Sequence, residues 1–290
     1  MKVLITGANG QVGWELQRAL APLGEMLVLG HADLDLANAD AIRQVLRHAA
    51  PDLIVNAAAY TAVDRAEQDA GSAHAVNGAA PGILAEEAQR LNAALVHYST
   101  DYVFDGAKGS PYEEIDATHP QSVYGMSKLA GEKAIAAVNC AHLILRTSWV
   151  YGARGKNFLL TMQRLAGERE ELRVVNDQVG APTWSRLLAE ATVLMLGQCL
   201  HKGSVTEHLR DKGGLYHLSA GGQTSWFGFA SAIVQGRDNP PRMTPISTDE
   251  YPLPAARPAY SVLSNDKIAR HFGIRLPDWH QSLGQCLAQN

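Results

Sequence analysis

The start of the chain places the strongest constraint on what it can fold into. Residues 2–6 form a short apolar, β-branched run, and Gly7, Gly10 and Gly13 follow as a helical apolar pattern begins. Glycines at such a junction let backbone N–H groups approach a pyrophosphate, and the helix dipole favours its negative charge. The spacing departs from the Gly-x-Gly-x-x-Gly of most dinucleotide folds, so a glycine turn without a ligand is the alternative. Its place at the first strand–helix junction favours dinucleotide binding.

Strand and helix patterns alternate through the first half of the chain. The predicted strands lie at 26–29, 53–56, 95–99 and 142–147, and the helices between them lie at 39–49, 79–91 and 124–138. This alternation is typical of βαβ units in a parallel sheet, and near-continuous apolar strands indicate burial on both faces. We therefore predict an α/β fold with a Rossmann-type doubly wound parallel sheet. In such a fold, ligands bind beyond the C-terminal ends of the strands.

The pattern becomes less regular after residue 147. Residues 172–175 and 215–218 look like further strands of the sheet, with a helix at 185–196 between them. Six prolines between residues 237 and 262 predict an extended loop, and short helices are expected at 265–272 and 279–288. The expected layout has a Rossmann domain and a smaller, interleaved C-terminal substrate domain. The first covers 1–150, completed within 172–220, and the second covers 151–171 and 221–290.

Composition narrows the class of protein. The chain has 290 residues, of which 46% are hydrophobic and 19% charged, and its formal net charge is −4. These values are ordinary for a globular enzyme, and the acidic balance argues against nucleic acid as the main partner. Three scattered cysteines without metal-like spacing favour a reducing compartment. No apolar run approaches membrane-spanning length, and a strand from residue 2 leaves no room for a signal peptide, so a cytoplasmic enzyme is expected.

Tyr124 and Lys128 are the clearest candidates for chemistry. They stand four residues apart in a predicted helix, a short way downstream of Thr100. On one helix face the ammonium reaches the space around the phenol, and a nearby cation lowers a phenol pKa from its usual value of about 10. The pair therefore predicts a proton donor with its pKa tuner. An exposed helical pair is the alternative.

Several longer blocks carry a resemblance to one family. The blocks are residues 55–64, 97–106, 146–152 and 176–183, with Arg257-Pro258 and Ser261 near the end. Together with the glycine spacing, Thr100 and the Tyr124–Lys128 pair, they resemble the extended short-chain dehydrogenase/reductases. Within that group they are similar to the dTDP-4-dehydrorhamnose reductases, over almost the whole chain.

The resemblance implies a hydride transfer from NAD(P)H to the C4 keto group of a dTDP-linked 6-deoxy-hexulose, giving dTDP-L-rhamnose. Tyr124 is then the proton donor to the developing alkoxide, while Lys128 lowers the Tyr124 pKa and binds the nicotinamide ribose. Thr100 holds the carbonyl oxygen or orients Tyr124, unless its hydroxyl only satisfies local backbone. Asp101 either binds a sugar hydroxyl or caps its loop.

The resemblance also implies the cofactor contacts, from the pyrophosphate through the adenine to the nicotinamide-side ribose. The implied residues are Gly7, Gly10, Gln11, Val12, Gly13, Gly30, Asp35, Leu36, Ala59, Tyr60, Thr61, Tyr98, Tyr124 and Lys128. The second strand ends at Gly30-His31, without the acidic residue that binds an adenosine 2′-hydroxyl in NAD-selective sites. NADPH is therefore the expected cofactor, and NADH stays open.

The expected partner is a dTDP-sugar, with no membrane and no nucleic acid involved. Thr100 and Asp101 are implied on the reacting sugar, and Trp149 as a sugar or base platform unless it is simply a core residue. Asn157 and Gln178 are expected near the nucleotide. Arg257 is a candidate to pair with the diphosphate, the alternative being a surface arginine beside a proline.

Two rival functions belong to the same fold. A sugar-nucleotide 4,6-dehydratase of this type carries Asp-Glu directly after the threonine, whereas Asp101 is followed here by Tyr102. A dehydratase or an epimerase also regenerates its own NAD⁺. The other rival is not an enzyme: the regulatory β subunit of methionine adenosyltransferase resembles this family and acts as a nucleotide-binding partner. The complete set of Thr100, Tyr124 and Lys128 argues against that role.

This sequence departs from the family pattern at the positions of the magnesium ligands. Some members dimerise around Mg²⁺ held by acidic side chains, and Glu15 matches one such position. The helix after Pro182-Thr183 carries Arg186 where another acidic ligand is expected. A hard cation needs several oxygen ligands, so no metal site is predicted beyond Glu15 as a weak candidate, and Mg²⁺ stays open. The expected state is a monomer or a homodimer.

Overall fold

Twelve strands are found in the computed structural model, which describes residues 1–201 and 203–288. Most of them match the apolar runs of the sequence within one or two residues. They are β1 Lys2–Thr6, β2 Glu25–Leu29, β3 Leu53–Asn56, β4 Ala94–Thr100, β5 His142–Thr147, β6 Val150–Tyr151, β7 Glu171–Val175, β8 Val179–Gly180, β9 Thr183–Trp184, β10 Gly214–His217, β11 Thr224–Ser225 and β12 Arg242–Ile246.

Helices follow most of these strands in the same described residues. The α-helices are α1 Gln11–Ala19, α2 Ala39–Ala49, α3 Val63–Ala66, α4 Ala70–His74, α5 Ala80–Leu91, α6 Val123–Val138, α7 Phe158–Glu168, α8 Ser185–His201, α9 Val205–Lys212, α10 Trp226–Val234, α11 Asp266–Phe272 and α12 Trp279–Leu287. A π-helical turn, Ala75–Ala79, joins α4 to α5. Short 3₁₀ segments lie at Ala21–Leu23, Asp101–Val103 and Thr248–Glu250.

Six parallel strands form the main sheet, in the order β10-β5-β4-β3-β1-β2. The sheet carries buried apolar side chains on both faces. One cluster packs it against α1, α8, α9 and α11, and the other packs it against α2, α5 and α6. The predicted Rossmann-type doubly wound fold is therefore confirmed. The strand order reverses between β1 and β3, which is where such sheets bind ligands.

The register of the strands brings polar side chains to one edge of the sheet. Thr6 pairs with Asn56, which in turn pairs with His97, and Thr100 pairs with Thr147 at the ends of β4 and β5. All five side chains are buried. Because parallel strands end at the same edge, residues far apart in sequence meet there.

Residues 172–175 do not join the main sheet, contrary to the sequence expectation. They belong to β7, which pairs in parallel with β12 in a separate two-stranded sheet. Along β7, Leu172 and Val174 are buried while Arg173 is exposed. This alternation is the pattern of a strand covered on one face, and the strands of the main sheet are covered on both. The expectation for 215–218 is confirmed, since β10 is the edge strand beside β5.

The proline-rich region at 237–262 contains regular structure that the sequence analysis missed. Arg242–Ile246 forms β12 even though Pro245 lies within it. A proline is tolerated at the edge of a two-stranded sheet because its missing N–H does not break a central ladder. Helices α7, α10 and α12 pack with β7 around a third apolar cluster. Among the described residues, none of the helices is both long enough and apolar enough to cross a membrane.

Candidate active site

A cleft of about 820 Å³ opens at the C-terminal edge of the main sheet. One side is formed by the turns after β1, β2 and β3 and by the end of β4. The other side is formed by residues after β5 and by Trp226 at the start of α10. The cleft is therefore shared between the sheet and the later part of the chain. Its volume is within the usual range for a small-molecule or cofactor site.

The glycine turn after β1 is tightly built. Gly7 has a φ of +78°, and a Cβ there would stand 2.6 Å from the backbone N of Ala58. A Cβ on Gly13 would stand 2.1 Å from the carbonyl oxygen of Gly7. Gly7 therefore lets the turn pass close to the β3 end, and Gly13 lets α1 start against the turn. Gly13 is buried behind the turn and does not line the cleft.

The N-terminus of α1 points into the cleft without a side-chain cap. Gly10 is the N-cap residue and has no side chain to bond the first N–H groups of the helix. Those donors, together with the helix dipole, suit a phosphate. The Gln11 side chain instead ties the turn to the other wall, since it donates to the carbonyl oxygen of Val150 at 3.3 Å and accepts from Asn157 at 2.9 Å.

The end of β2 needs one correction. Gly30, Asp35 and Leu36 line the cleft as the sequence predicted. A carboxylate nevertheless stands near the end of this strand, because Asp33 folds back and accepts from the Gly30 N–H at 2.8 Å. The Asp33 side chain does not line the cleft, although it lies next to residues that do.

Residues 59–61 line the cleft on a loop whose backbone is hydrogen-bonded to Asn77. Asn77, in the π-helical turn, accepts from the backbone N–H of Tyr60 at 2.8 Å and donates to its carbonyl oxygen at 3.0 Å. Asn77 also donates to Ser127, the neighbour of Lys128 in α6. π-turns often mark functional sites. The sequence analysis missed this residue.

Tyr124 lies in the first turn of α6, which Ser122 caps by accepting from the Gly125 N–H at 3.2 Å. Its phenol lines the cleft close to the Thr100 hydroxyl. Burial raises the pKa of Tyr124 to about 12, and the Thr100 hydroxyl only partly opposes this rise. The expected lowering of this pKa is therefore wrong for the chain as it stands, because desolvation of the phenolate dominates.

Lys128 lies one turn further along α6 and also lines the cleft, although it is only 2% exposed. Its ammonium is directed at β4: Nζ donates to the Tyr98 carbonyl oxygen at 2.6 Å and lies 3.3 Å from Nε2 of His97. Burial lowers the pKa of Lys128 to about 8, against the opposing effect of Glu132. The phenol of Tyr98 is turned away, to Thr192 of α8.

Asp101 follows Thr100 at the end of β4 and is buried at the cleft floor. It accepts a hydrogen bond from the Thr100 hydroxyl at 3.1 Å. Burial raises the pKa of Asp101 to about 6, and the hydroxyls of Ser261 and Thr100 oppose the rise. Thr100 thus lies beside both Asp101 and Tyr124, and the three side chains form one group in the cleft.

Two stacked tryptophans form the opposite wall. Trp149 and Trp226 lie with ring centroids 3.5 Å apart and an angle of 4° between their planes. Trp149 has a φ of +46°, and a Cβ on Gly180 would stand 2.4 Å from its ring. Trp226 was missed by the sequence analysis. Its only signal was an apolar residue directly after the helix-capping Ser225, which is common to many helices that have no role in a site.

The other implied substrate contacts are already engaged within the protein. Asn157 lines the cleft, but its side chain caps α7 and bonds to Gln11. Gln178 is buried outside the cleft lining and donates to Thr248 at 3.1 Å. Arg257, also outside that lining, forms a two-point pair with Asp64 at 2.8 and 3.0 Å.

Glu15, the weak candidate for a Mg²⁺ ligand, has a guanidinium nearby. The carboxylate lies close enough to Arg186 to contribute to the raised pKa of that guanidinium, after the larger effect of the bonded Glu190. A fixed positive charge beside the carboxylate disfavours a second cation there. In the part of the chain that the structure describes, no three His, Cys, Asp or Glu residues cluster as a metal site.

The chain matches known proteins over its full length. Residues 1–290 match a family model described as the RmlD substrate binding domain. The dTDP-4-dehydrorhamnose reductase of Burkholderia thailandensis is 50% identical, with 99% of this chain and 98% of the relative covered. That of Escherichia coli K12 is 43% identical over 99% and 97% of the two chains.

Solved structures agree with the sequence relatives. A dTDP-4-dehydrorhamnose reductase from Clostridium acetobutylicum superposes with a TM-score of 0.92 at 38% identity, covering 100% of this chain and 99% of the other. The enzyme of the same name from Bacillus anthracis, in complex with NADP, gives a TM-score of 0.89 at 36% identity over 100% and 99% of the two chains. With the glycine turn and the Thr100, Tyr124 and Lys128 group in place, this chain belongs to the RmlD family, the family of the dTDP-4-dehydrorhamnose reductases.

Proposed function

We propose that this chain reduces the C4 keto group of dTDP-4-dehydro-6-deoxy-L-mannose (dTDP-4-dehydrorhamnose) to give dTDP-L-rhamnose, the last step in making that sugar nucleotide. It is an NAD(P)H-dependent oxidoreductase. The observation that carries the proposal is the group of Tyr124, Thr100 and Asp101 in the cleft, with Thr100 bonded to Asp101 and Lys128 nearby on the same helix as Tyr124. Membership of the reductase family supplies the substrate.

The cleft suits a nicotinamide dinucleotide. Gly7, Gly10 and the N-terminus of α1 would hold the pyrophosphate, Asp35 and Leu36 the adenine side, and residues 59–61 the nicotinamide-side ribose. Bound there, the nicotinamide supplies the hydride for C4. The complex of the Bacillus anthracis relative with NADP supports NADPH as the cofactor. NADH stays open as a second one.

Tyr124 acts as the proton donor. With a pKa raised to about 12, its phenol is fully protonated at neutral pH and is ready to give its proton to a more basic oxygen. An alkoxide that develops at C4 as the hydride arrives is such an oxygen. The O–H bond of Tyr124 breaks, a new O–H bond forms on the product, and the phenolate remains on the protein.

Thr100 and Asp101 shape the place where this transfer occurs. The Thr100 hydroxyl donates its one proton to Asp101 and accepts from the backbone N–H of Tyr102, so it is held in place beside the phenol, and the Tyr124 proton is left for the keto oxygen. Tyr102 packs edge-on against the Tyr124 ring, with centroids 5.6 Å apart. A dehydratase of this fold would carry a carboxylate base at the Tyr102 position, so the residue supports simple ketone reduction.

The later segments of the chain would hold the rest of the substrate. We assign residues 1–150, with α8, α9 and β10, to cofactor binding, and the segments built around the third apolar cluster to the sugar nucleotide. The stacked pair of Trp149 and Trp226 is the flat surface available for the sugar or the base. We also retain the cytoplasm as the location, supported by three cysteines that are scattered along the sequence and buried in the fold, and a monomer or a homodimer as the assembly.

The test is product analysis. The protein is incubated with dTDP-4-dehydrorhamnose and NADPH, and the nucleotide sugars are then separated and identified. We expect one NADPH oxidised for each dTDP-L-rhamnose formed. Conversion of the sugar without net consumption of NADPH would indicate an epimerase or a dehydratase instead. Binding of NADPH with no conversion would indicate a nucleotide-binding regulatory protein.

A further inference from the structure

A buried line of polar side chains runs from β1 to Lys128 behind the cleft. Thr6 donates to Oδ1 of Asn56 at 2.6 Å, Nδ2 of Asn56 lies 3.0 Å from Nδ1 of His97, and Nε2 of His97 lies 3.3 Å from Nζ of Lys128. All four residues are at most 2% exposed. Of these four residues, only Lys128 was considered above as part of the proton-transfer site.

The hydrogen bonds fix where the proton of His97 lies. The backbone N–H of Ala58 also points at Oδ1 of Asn56, at 3.3 Å. A backbone N–H can only donate, so this atom of Asn56 is the acceptor and the other, Nδ2, is a donor. Nδ1 of His97 must then accept. The His97 proton is therefore on Nε2, which faces Lys128.

An N–H group that faces Lys128 favours one form of the lysine. Burial and the nearby Lys128 lower the pKa of His97 well below its usual value, so the imidazole is neutral. A neutral amine at Lys128 can accept from Nε2–H and still donate to the Tyr98 carbonyl oxygen. An ammonium would place a donor against a donor. Burial favours the same neutral form and lowers the pKa of Lys128 to about 8.

The charges around Lys128 are largely compensated by other partners. Glu132 on α6 is the neighbour that favours the ammonium, but it is paired with Arg146 at 2.7 Å and accepts from Ser99. Other titratable or charged groups lie on the elements packed against α6 and on α6 itself: Tyr98, Asp101, Tyr102, Asp64, Arg65, Asp69, His74, Glu86, Glu87, Arg90, Tyr124 and Lys133. Of the acids among them, Asp64 is bonded to Arg257, and Glu87 is bonded to Arg47.

We propose that Asn56 and His97 are positioning residues for Lys128. The Asn56 amide holds the His97 proton on Nε2, and that N–H stabilises the neutral amine, so that Lys128 exchanges protons at working pH instead of staying a permanent cation. The inference rests on the proposed function. After Tyr124 has given its proton to the alkoxide, the ammonium releases one towards the phenolate, the amine that remains is held by His97, and water returns the proton to it.

The first test needs neither substrate nor a variant. In protein with ¹⁵N-labelled histidine side chains, the nitrogen shifts of His97 report which ring nitrogen carries the proton. We expect Nε2–H for His97. His217 is a matched internal control, because it is buried in the same sheet but its Nδ1 faces the Tyr112 carbonyl oxygen at 3.1 Å, which requires Nδ1–H. An Nδ1–H or doubly protonated His97 overturns the proposal.

The second test is Asn56→Asp, which keeps the acceptor for Thr6 and Ala58 but replaces the donor by an oxygen. Nδ1 of His97 should then carry the proton and Nε2 should accept from the ammonium. NMR of ¹³Cε-labelled lysine follows the titration of Lys128. Its midpoint in Asn56→Asp should lie about one pH unit or more above that of the wild type. His217→Gln is the matched control and should leave the midpoint in place.

A double variant separates the tautomer from the added charge. In a His97→Gln background, Asn56→Asp should raise the midpoint of Lys128 by clearly less than it does alone. An equal rise in both backgrounds, or no rise in either, contradicts the role of His97. Because the tautomer and the lysine titration are read without turnover, failure of this inference is distinct from failure to form dTDP-L-rhamnose.

Discussion

The two walls of the cleft are built in different ways. On the sheet side, Thr100, Tyr124 and Lys128 line the cleft and are held by the end of β4 and the first turns of α6. On the far side, Asn157 forms its hydrogen bonds within the protein, and so do Gln178 and Arg257, which lie outside the cleft lining. Chemistry is therefore fixed by the sheet, while the far wall offers mainly aromatic surface. Substitutions on the two sides should separate kcat from KM.

The largest effect is expected for Tyr124→Phe on the sheet side. Without the phenol there is no proton for the alkoxide, and loss of a positioned acid typically costs about 10²- to 10⁴-fold in rate. NADPH binding should be retained, since the aromatic ring stays. The measurement is NADPH oxidation with the keto sugar, beside a cofactor-binding titration. Tyr260→Phe, outside the cleft lining, is the control, and unchanged kcat in Tyr124→Phe would remove the proton-donor assignment.

The next effect concerns stability and pH at Asp101. The pKa of Asp101 is raised to about 6 in the folded chain, so the neutral, protonated carboxyl group stabilises the fold at low pH. That stabilisation is lost as the pH rises through about 6. Because this pKa lies roughly two units above that of an ordinary carboxyl, we expect Asp101 alone to lower the free energy of unfolding by about 2 kcal/mol between pH 4 and pH 7. Urea unfolding of wild type and Asp101→Asn across that range should show the difference. Parallel curves for the two proteins would contradict the raised pKa.

A smaller effect is expected on the far wall. Trp226→Ala removes one half of the stacked pair and should raise the KM for the sugar nucleotide by about three- to tenfold, the range of an aromatic contact. The kcat should change little, because Trp226 is not part of the group formed by Tyr124, Thr100 and Asp101. Steady-state kinetics at saturating NADPH would measure both constants. A fall in kcat with constant KM would mean that this wall takes part in the chemistry.

The smallest effect is expected at the Arg257–Asp64 pair. The Asp64 side chain is 37% exposed, so solvent screens the pair, and Asp64→Asn should cost only about 1 kcal/mol of unfolding free energy. The burial of Arg257 keeps the cost above that of a fully exposed pair. The same substitution frees Arg257, and so tests whether the arginine reaches a diphosphate. A lower KM in Asp64→Asn would support that contact, and a KM equal to wild type would count against it.

The sequence predicted the sheet side well because the controlling forces there are local. Apolar runs of four to seven residues specify buried strands, and Gly7 and Gly13 sit where any side chain would collide with backbone. The i, i+4 spacing of Tyr124 and Lys128 was enough to bring both to one cleft once α6 formed.

Contacts between residues far apart in the sequence determined the features that local patterns did not predict. β7 lies outside the main sheet because it pairs with β12, whose residues are 71 positions further along the chain (Arg242 opposite Glu171 and Ile246 opposite Val175). The presence of Pro245 made β12 hard to recognise as a strand. Three features depend on which surfaces are buried in the folded chain: the raised pKa of Tyr124, the pairing of Arg257 with Asp64, and the stacking of Trp226 on Trp149. Sequence patterns alone do not show which side chains are desolvated. The order of residues therefore determined the strands, the glycine turn and the identity of the acid, and tertiary packing determined its ionisation and its neighbours.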